Sequence, residues 1–169
     1  MKKLINFVLI LLFLSPAFLF ASDEGLVQVE SRGLQQKIIL TKPESTPIAS
    51  VILMAGGHGK LDLSGSSNSV NIGWGKNNNL VRTRQSYADQ GFLVATMDAP
   101  SNRKKMNAIW RMGEEHAKDI ESVASYLQDQ ANVPVWVIGT SMGSFSAANA
   151  GISLSDAIDG IVLTLSLIH

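Results

Sequence analysis

The sequence contains no cysteine, few histidines and no excess of charge of either sign. Without thiols, the chain can form no disulfide, no cysteine nucleophile and no cysteine-ligated metal site. Its three histidines, His58, His116 and His169, lie far apart in the chain, so we expect no metal site. The 14 basic residues balance the 14 acidic ones. This balance predicts no strongly basic face, and nucleic acid is therefore not an expected partner.

The residues that are present suffice for one folded domain. The chain has 169 residues, of which 46% are hydrophobic, so it can bury a core of its own. Such a composition excludes an intrinsically disordered chain, because disordered chains have too few apolar residues to offset the entropy lost on folding.

The first 21 residues have the three parts of a secretory signal peptide. Lys2 and Lys3 precede a long apolar run, and Ser15-Pro16 and a short stretch then end at the small residue Ala21. We therefore predict cleavage after Ala21, a mature domain at 22–169 and a secreted or periplasmic protein. The alternative is an uncleaved segment at 4–20 that anchors the chain in the inner membrane, because that stretch is at the lower limit for spanning a bilayer. No cysteine follows the run, which excludes a lipoprotein.

The apolar runs after residue 22 alternate between patterns typical of strands and of helices. Strands are predicted at 26–30, 35–40, 48–54, 92–97, 135–138 and 161–167. Helices are predicted at 80–90, 114–131 and 144–151, and loops at 61–79 and 101–113. After an N-terminal antiparallel hairpin, this order predicts an α/β fold with a mainly parallel sheet and right-handed crossovers.

The segment VILMAGGHGK at 51–60 is an apolar strand that runs into a glycine-rich turn, as many ligand and catalytic sites do. A phosphate-binding loop would require glycine in place of Met54 and a hydroxyl residue in place of Leu61. A dinucleotide-binding turn would require glycine in place of Asp62. Both alternatives fail, which leaves open a turn whose backbone N–H groups hold an oxyanion.

A second motif, GTSMG at 139–143, fits the G-x-S-x-G pattern of a nucleophilic serine. The pattern alone has little specificity, but here the apolar strand VWVI enters it and a helix of small residues leaves it. This strand–turn–helix context predicts a nucleophile elbow that exposes the Ser141 hydroxyl on a tight, strained turn. The alternative is that Ser141 only caps the helix.

The two motifs and the strand order between them resemble the α/β-hydrolase superfamily over residues 26–167. The resemblance implies a serine hydrolase, similar to dienelactone-hydrolase or peptidase-like enzymes, with Ser141 as the nucleophile. It also implies an oxyanion hole formed by the N–H of Met142 and an N–H of the 58–60 turn, for which Gly59 is chosen. The implied substrate is a small ester or amide, and neither a metal nor an organic cofactor is implied.

Several other residues are candidates for the site or its surroundings. His58 and Lys60 belong to the oxyanion turn, where His58 either shapes the turn or is merely exposed. Trp74 either lines an acyl pocket or anchors its loop. His116 is expected on the solvated face of its helix, and Asp98 is expected to hydrogen-bond its own backbone in a turn.

The sequence departs from the family pattern after Ser141. The family places an acid and then a histidine downstream of the serine. Here Asp156 and Asp159 fall before the last predicted strand and His169 is the final residue, so none occupies the family position. We therefore assign no acid and no base, and we expect 22–169 to be a partial domain that lacks the last strands and helices. The alternative function is a non-catalytic binding or structural protein on this scaffold.

The N-terminal segment leads to a first testable prediction. In a bacterial host, the exported protein should begin at Ser22, because signal peptidase cleaves after small residues such as Ala21. Mass spectrometry of the periplasmic fraction measures this terminus. An intact Met1 in washed membranes would instead support the anchored alternative.

Overall fold

A computed structural model describes residues 23–165, so the predicted signal peptide and His169 lie outside the described residues. The strands are β1 (Glu24–Ser31), β2 (Leu34–Thr41), β3 (Ala49–Met54), β4 (Leu63–Ser66), β5 (Ser69–Ile72), β6 (Phe92–Met97), β7 (Val135–Thr140) and β8 (Gly160–Thr164). The helices are α1 (Asn79–Ala88), α2 (Ala108–Arg111), α3 (Glu114–Gln130) and α4 (Gly143–Ser153). None of the helices within residues 23–165 has the length and apolar character that crossing a bilayer requires.

Six of the strands form one mixed sheet in the order β1-β2-β6-β3-β7-β8. The β1–β2 hairpin is antiparallel and joins the sheet through an antiparallel β2–β6 pair. From β6 onwards all neighbours are parallel, and helices connect them. The predicted fold class, a mainly parallel sheet with an N-terminal antiparallel hairpin, is therefore confirmed. β8 forms one edge of this sheet in the described part of the chain.

The core lies on both faces of the central strands. All residues of β3 are buried, and the pleat sends alternate side chains to opposite faces of the sheet. Val51 and Leu53 pack beneath α1, whereas Ile52 and Met54 pack beneath α3 and α4. This two-sided burial explains why β3 is a continuous apolar run in the sequence rather than an alternating one.

Both segments that the sequence predicts as loops contain regular structure. The segment 61–79 includes the β4–β5 hairpin, a small separate sheet. Its apolar residues Leu61, Leu63, Val70 and Ile72 alternate with polar ones and pack together over the main sheet. The abundance of serine, asparagine and glycine concealed this period of two, so the loop prediction was wrong here. The second loop likewise contains the single-turn helix α2.

A buried ion pair fastens the N-terminal hairpin to α3. The carboxylate of Asp119 is fully buried and accepts hydrogen bonds from Arg32 Nε at 2.9 Å and Nη2 at 2.9 Å. The Ser31 hydroxyl donates a third bond, at 2.6 Å. Hydrogen bonding to this carboxylate raises the pKa of Arg32. The turn of the hairpin is thus held by a bidentate contact, the geometry in which arginine binds carboxylates most strongly.

Removal of this pair should lower the stability of the fold. Arg32→Met leaves the Asp119 carboxylate buried without its cation, so we expect the free energy of unfolding to fall by about 3 kcal/mol. The matched control is Lys118→Met, which breaks an exposed pair with Glu114 on the same helix and should change stability little. Urea unfolding followed by circular dichroism measures both. Equal effects from the two substitutions would contradict the structural role of the buried pair.

Candidate active site

The predicted elbow is a tight turn between β7 and α4. Ser141 follows the last residue of β7 and has a positive φ of 50°, a strained conformation for a residue other than glycine. Its backbone N–H donates to the carbonyl of Thr164 on β8 at 3.1 Å. Its carbonyl accepts the N–H of Ser144 at 2.9 Å and the Ser144 hydroxyl at 2.6 Å. Hydrogen bonds to β8 and from α4 thus hold Ser141 in its strained backbone conformation. Its side chain stays partly exposed.

The two glycines of the motif permit this turn by their lack of a side chain. A Cβ at Gly139 would strike the backbone of Gly143, and a Cβ at Gly143 would strike the carbonyl of Met54 at the end of β3. The first turn of α4 therefore lies directly against the end of the neighbouring strand. This close approach is the physical reason for the spacing of the G-x-S-x-G pattern.

The glycine-rich turn after β3 lies beside this elbow. A Cβ built on Gly56 would lie 3.1 Å from the Cβ of Ser141 and 3.0 Å from the carbonyl of Thr140. Gly59 has a φ of 72°, and a Cβ on it would strike the side chains of Arg111 and Met106. The structure thus brings Gly56, which the sequence did not single out, against Ser141, whereas Gly59 packs on the protein interior.

Several backbone N–H groups of this turn have no acceptor. Within residues 23–165, no group accepts a hydrogen bond from the N–H of residues 56–59. The next N–H, that of Lys60, donates to His58 Nδ1 at 3.2 Å, and the carbonyl of His58 accepts from Met106 N–H at 2.8 Å. Successive unpaired N–H groups in a turn form a concave site with an affinity for negative charge.

His58 and Trp74 form one wall of the site. Their rings stack with centroids 3.7 Å apart, and the Trp74 ring also covers Gly57. Trp74 remains 41% exposed at the rim of a cavity of about 460 Å³, which residues 72–78 line. The Lys60 ammonium pairs with Asp62 at 3.0 Å and lines a different cavity, together with Asp98 and Arg103. Of the predicted residues, His58 and Trp74 therefore lie together at the turn, whereas the Lys60 side chain faces the second cavity.

Beneath the turn lies a buried polar cluster that the sequence did not reveal. Arg111 is fully buried and donates from Nη2 to the carbonyls of Ala55 at 3.1 Å and Gly57 at 3.4 Å. Its Nη1 donates to the Ser146 hydroxyl at 2.7 Å, and Ser146 in turn lies 2.8 Å from His116 Nε2. Because each member depends on partners distant in the chain, no local sequence pattern indicated the cluster.

The prediction of a solvated His116 was wrong. The imidazole is fully buried and stacks on Trp110, with ring centroids 4.5 Å apart. Burial, reinforced by the positive charges of Arg111 and Arg32, lowers the pKa of His116 to about 3. His116 is therefore neutral near pH 7. Its Nε2 lies 2.8 Å from the Ser146 hydroxyl, which also accepts a hydrogen bond from Arg111 Nη1.

Asp98 holds the hairpin segment in place rather than facing the site. Its carboxylate accepts the N–H of Ala99 at 2.7 Å, which is the predicted bond to its own turn. It also accepts the N–H of Leu61 at 2.6 Å and of Leu63 at 3.0 Å. The three bonds explain why a carboxylate can be nearly fully buried at the end of β6.

The described residues contain no acid–base pair for Ser141. Within residues 23–165, no side chain hydrogen-bonds to the Ser141 hydroxyl. Asp159 accepts the N–H of Val135 at 2.8 Å, which lies at the end of β7 remote from Ser141. Asp156 is exposed in the same region, and His169 is outside the described residues. Nor do any three histidine or carboxylate side chains of residues 23–165 group together as metal ligands.

Comparison with solved structures identifies the architecture. An α/β serine hydrolase without a lid from Xanthomonas campestris superimposes with a TM-score of 0.60 at 14% identity, covering 85% of this chain. An esterase from Pyrococcus furiosus superimposes with a TM-score of 0.62 at 16% identity, covering 88% of this chain. The chain has the α/β-hydrolase fold. No protein-family model and no curated protein sequence matches the chain.

The matched proteins of this fold are longer than the chain. The superposition covers 62% of the Xanthomonas hydrolase and 52% of the Pyrococcus esterase. For a thermostable carboxyl esterase from Bacillus coagulans, with a TM-score of 0.54 and 18% identity, it covers 44%. The chain thus spans about half the length of these α/β-hydrolase-fold proteins.

The buried His116 should make the fold sensitive to acid. Its pKa is lowered on folding, so the unfolded chain takes up a proton first as the pH falls below about 6.5. Stability contributed by the neutral imidazole is complete above that pH and is lost progressively towards pH 3. Between pH 7 and pH 5 the loss should be about 2 kcal/mol.

Urea unfolding at the two pH values measures this loss. His116→Gln has no titrating group at this position and should show a drop between pH 7 and pH 5 that is smaller by that amount. His58→Gln is the control and should keep the full drop, since it leaves the buried imidazole in place. An unchanged drop in His116→Gln would contradict the assignment of the acid sensitivity to this residue.

Proposed function

We propose that the chain carries the nucleophile and oxyanion hole of a serine hydrolase that cleaves a small ester or amide through a Ser141 acyl-enzyme. The observation that supports this proposal most directly is the position of Ser141. It lies on a strained elbow, against a turn whose N–H groups have no acceptor among residues 23–165. Strain held by the surrounding structure is typical of functional residues, and unpaired N–H groups suit a developing negative charge.

The proposed mechanism assigns a role to each part of the site. The Ser141 oxygen attacks the carbonyl carbon of the substrate, and the carbonyl oxygen becomes an oxyanion. The N–H of Met142 and an N–H of the neighbouring turn stabilise this charge, which is worth roughly 3 kcal/mol of the barrier per donor. The sequence prediction for the second donor is Gly59, and the contact of Gly56 with Ser141 supports Gly56 as a further candidate. Collapse of the oxyanion breaks the bond to the alcohol or amine, which leaves with the proton from the Ser141 hydroxyl, and water then hydrolyses the acyl-serine to the free acid and Ser141.

We propose that the stacked His58 and Trp74 bound the side of the site that receives the substrate. The cavity beside Trp74 is large enough for a small acyl or leaving group, and the ring offers it an apolar wall. The Lys60 ammonium is paired with Asp62 and lines a second cavity. A small-molecule substrate fits this arrangement, and the site needs neither metal nor cofactor for acyl transfer by serine.

The proposal assigns neither the general base nor its acid to residues 23–165. Serine is a weak nucleophile unless a base takes its proton, and the described residues offer none at hydrogen-bonding distance. We propose that both groups belong to parts of the whole protein outside residues 23–165, and that this chain is a fragment of a longer hydrolase. The alternative is a non-catalytic binding protein on the α/β-hydrolase fold, which the missing base would favour.

Covalent labelling distinguishes these alternatives. A fluorophosphonate should modify Ser141 slowly on its own and faster with added imidazole, because the elbow and oxyanion hole act even when the base is absent. Peptide mass spectrometry identifies the labelled residue. Ser141→Ala should abolish the modification, whereas Ser155→Ala, which removes an exposed serine after α4, should not. A folded chain that remains unlabelled at Ser141 even with imidazole would support the binding alternative.

A further inference from the structure

The oxyanion turn packs against the positive charge of Arg111, which no carboxylate neutralises. In the described part of the chain, Arg111 forms no ion pair with any acid; its guanidinium donates to neutral oxygens only. These are the carbonyls of Ala55, Gly57 and Met106 and the hydroxyl of Ser146. Burial of a cation is costly unless a counter-charge or a specific role accompanies it. Burial lowers the pKa of Arg111 to about 10, so it stays charged at neutral pH.

Two of the four acceptors belong to the turn that faces Ser141. Peptide groups 55–56 and 57–58 each direct their carbonyl oxygen to Nη2 of Arg111. All peptide bonds described are trans, so each N–H points opposite to its carbonyl. The N–H groups of Gly56 and His58 therefore point away from Arg111, out of the interior. Both are among the N–H groups that have no acceptor within residues 23–165.

We propose that Arg111 is a positioning residue that fixes the orientation of the oxyanion turn, with its N–H groups directed to the Ser141 side. This inference rests on the proposed function, since it assigns the turn to the oxyanion hole. Glycine-rich peptides rotate readily, and a flipped peptide would present a carbonyl oxygen in place of a donor. The guanidinium opposes that rotation, because a flip would cost its charge-assisted hydrogen bonds to the carbonyls.

The guanidinium is itself held rigidly. The Ser146 hydroxyl on α4 accepts a hydrogen bond from Nη1 at 2.7 Å, and the same hydroxyl is hydrogen-bonded to His116 Nε2 on α3 at 2.8 Å. Asn149 on α4 donates to the backbone carbonyl of Arg111 at 2.9 Å. The positioning chain thus runs from α3 and α4 through Arg111 to the turn. It also carries a positive charge to the underside of the site, where it favours negative charge on the substrate oxygen.

The test compares substitutions that remove or loosen the hydrogen bonds of the Arg111 guanidinium with one that removes a positive charge elsewhere. Arg111→Met keeps an unbranched side chain of similar length but removes every hydrogen-bond donor. Arg111→Lys keeps the charge but cannot reach all four acceptors, and Ser146→Ala releases the guanidinium. Arg82→Met removes an exposed arginine of α1 and is the matched control. Two quantities are measured on the purified full chain, namely the backbone resonances of residues 55–59 and the kinetics of Ser141 labelling with imidazole.

A positioning role makes a distinct prediction for each quantity. In Arg111→Met, the resonances of Gly56 and His58 should shift while those of α1 do not. The maximal labelling rate should fall roughly 100-fold, with the inhibitor concentration for half-maximal rate unchanged, as for the loss of one oxyanion donor. The labelling rates and resonance shifts of Arg111→Lys and Ser146→Ala should lie between those of Arg111→Met and the parent chain. Those of Arg82→Met should equal the parent values.

A merely structural role would lower the melting temperature but leave both quantities unchanged well below it. Unchanged turn resonances and labelling in a folded Arg111 variant would therefore overturn the proposal. If Arg111→Met does not fold, Arg111→Lys and Ser146→Ala decide by the same criteria. If the parent chain is not labelled at all, the proposed hydrolase function fails. The turn resonances then still decide whether Arg111 orients these peptides.

Discussion

The site depends on the register between two parallel strands. Met54 at the end of β3 pairs with Gly139 near the end of β7. The turns that follow the two strands therefore begin side by side at the same edge of the sheet. Because parallel strands end at the same edge, the glycine-rich turn and the elbow must meet there. Gly143 extends this constraint to α4, whose first turn lies against the Met54 carbonyl. A shift of one residue in this pairing would separate Gly56 from Ser141.

The layer beneath the turn explains why this edge is rigid although it is rich in glycine. Arg111, Ser146 and Asn149 are buried polar groups from two helices, and each bonds to a neighbour in the layer or to the turn. Buried polar groups carry a large penalty when they lack partners, so such a layer has essentially one acceptable arrangement. His116 completes it with a neutral ring whose Nδ1 has no partner among residues 23–165. The buried polar layer thus favours one arrangement of its side chains, while the unpartnered Nδ1 lowers the stability of the fold.

The sequence predicted the parts of the fold that depend on local pattern. The buried strands β3 and β6 are largely apolar runs, and the elbow has a fixed spacing of glycine and serine, so both were visible without a structure. The β4–β5 hairpin was missed because its apolar residues are sparse among serine and asparagine. The buried positions of Arg111 and His116 were missed for another reason. Apart from Met106, their side-chain hydrogen-bond partners lie 30 or more residues away in the chain, and only tertiary packing brings them together.

The same interior charge acts in opposite directions on stability and on the proposed chemistry. Burial and, after it, the charges of Arg111 and Arg32 lower the pKa of His116, which makes the fold less stable in acid. At the opposite side of the turn, Arg111 favours negative charge, which is what an oxyanion brings. A protein without need of such a site could replace Arg111 by an apolar side chain of similar length at little cost, as is common for buried ions. The buried cation, bonded only to neutral oxygens and directed at the turn beside Ser141, matches the negative charge that would form there in the proposed acyl transfer.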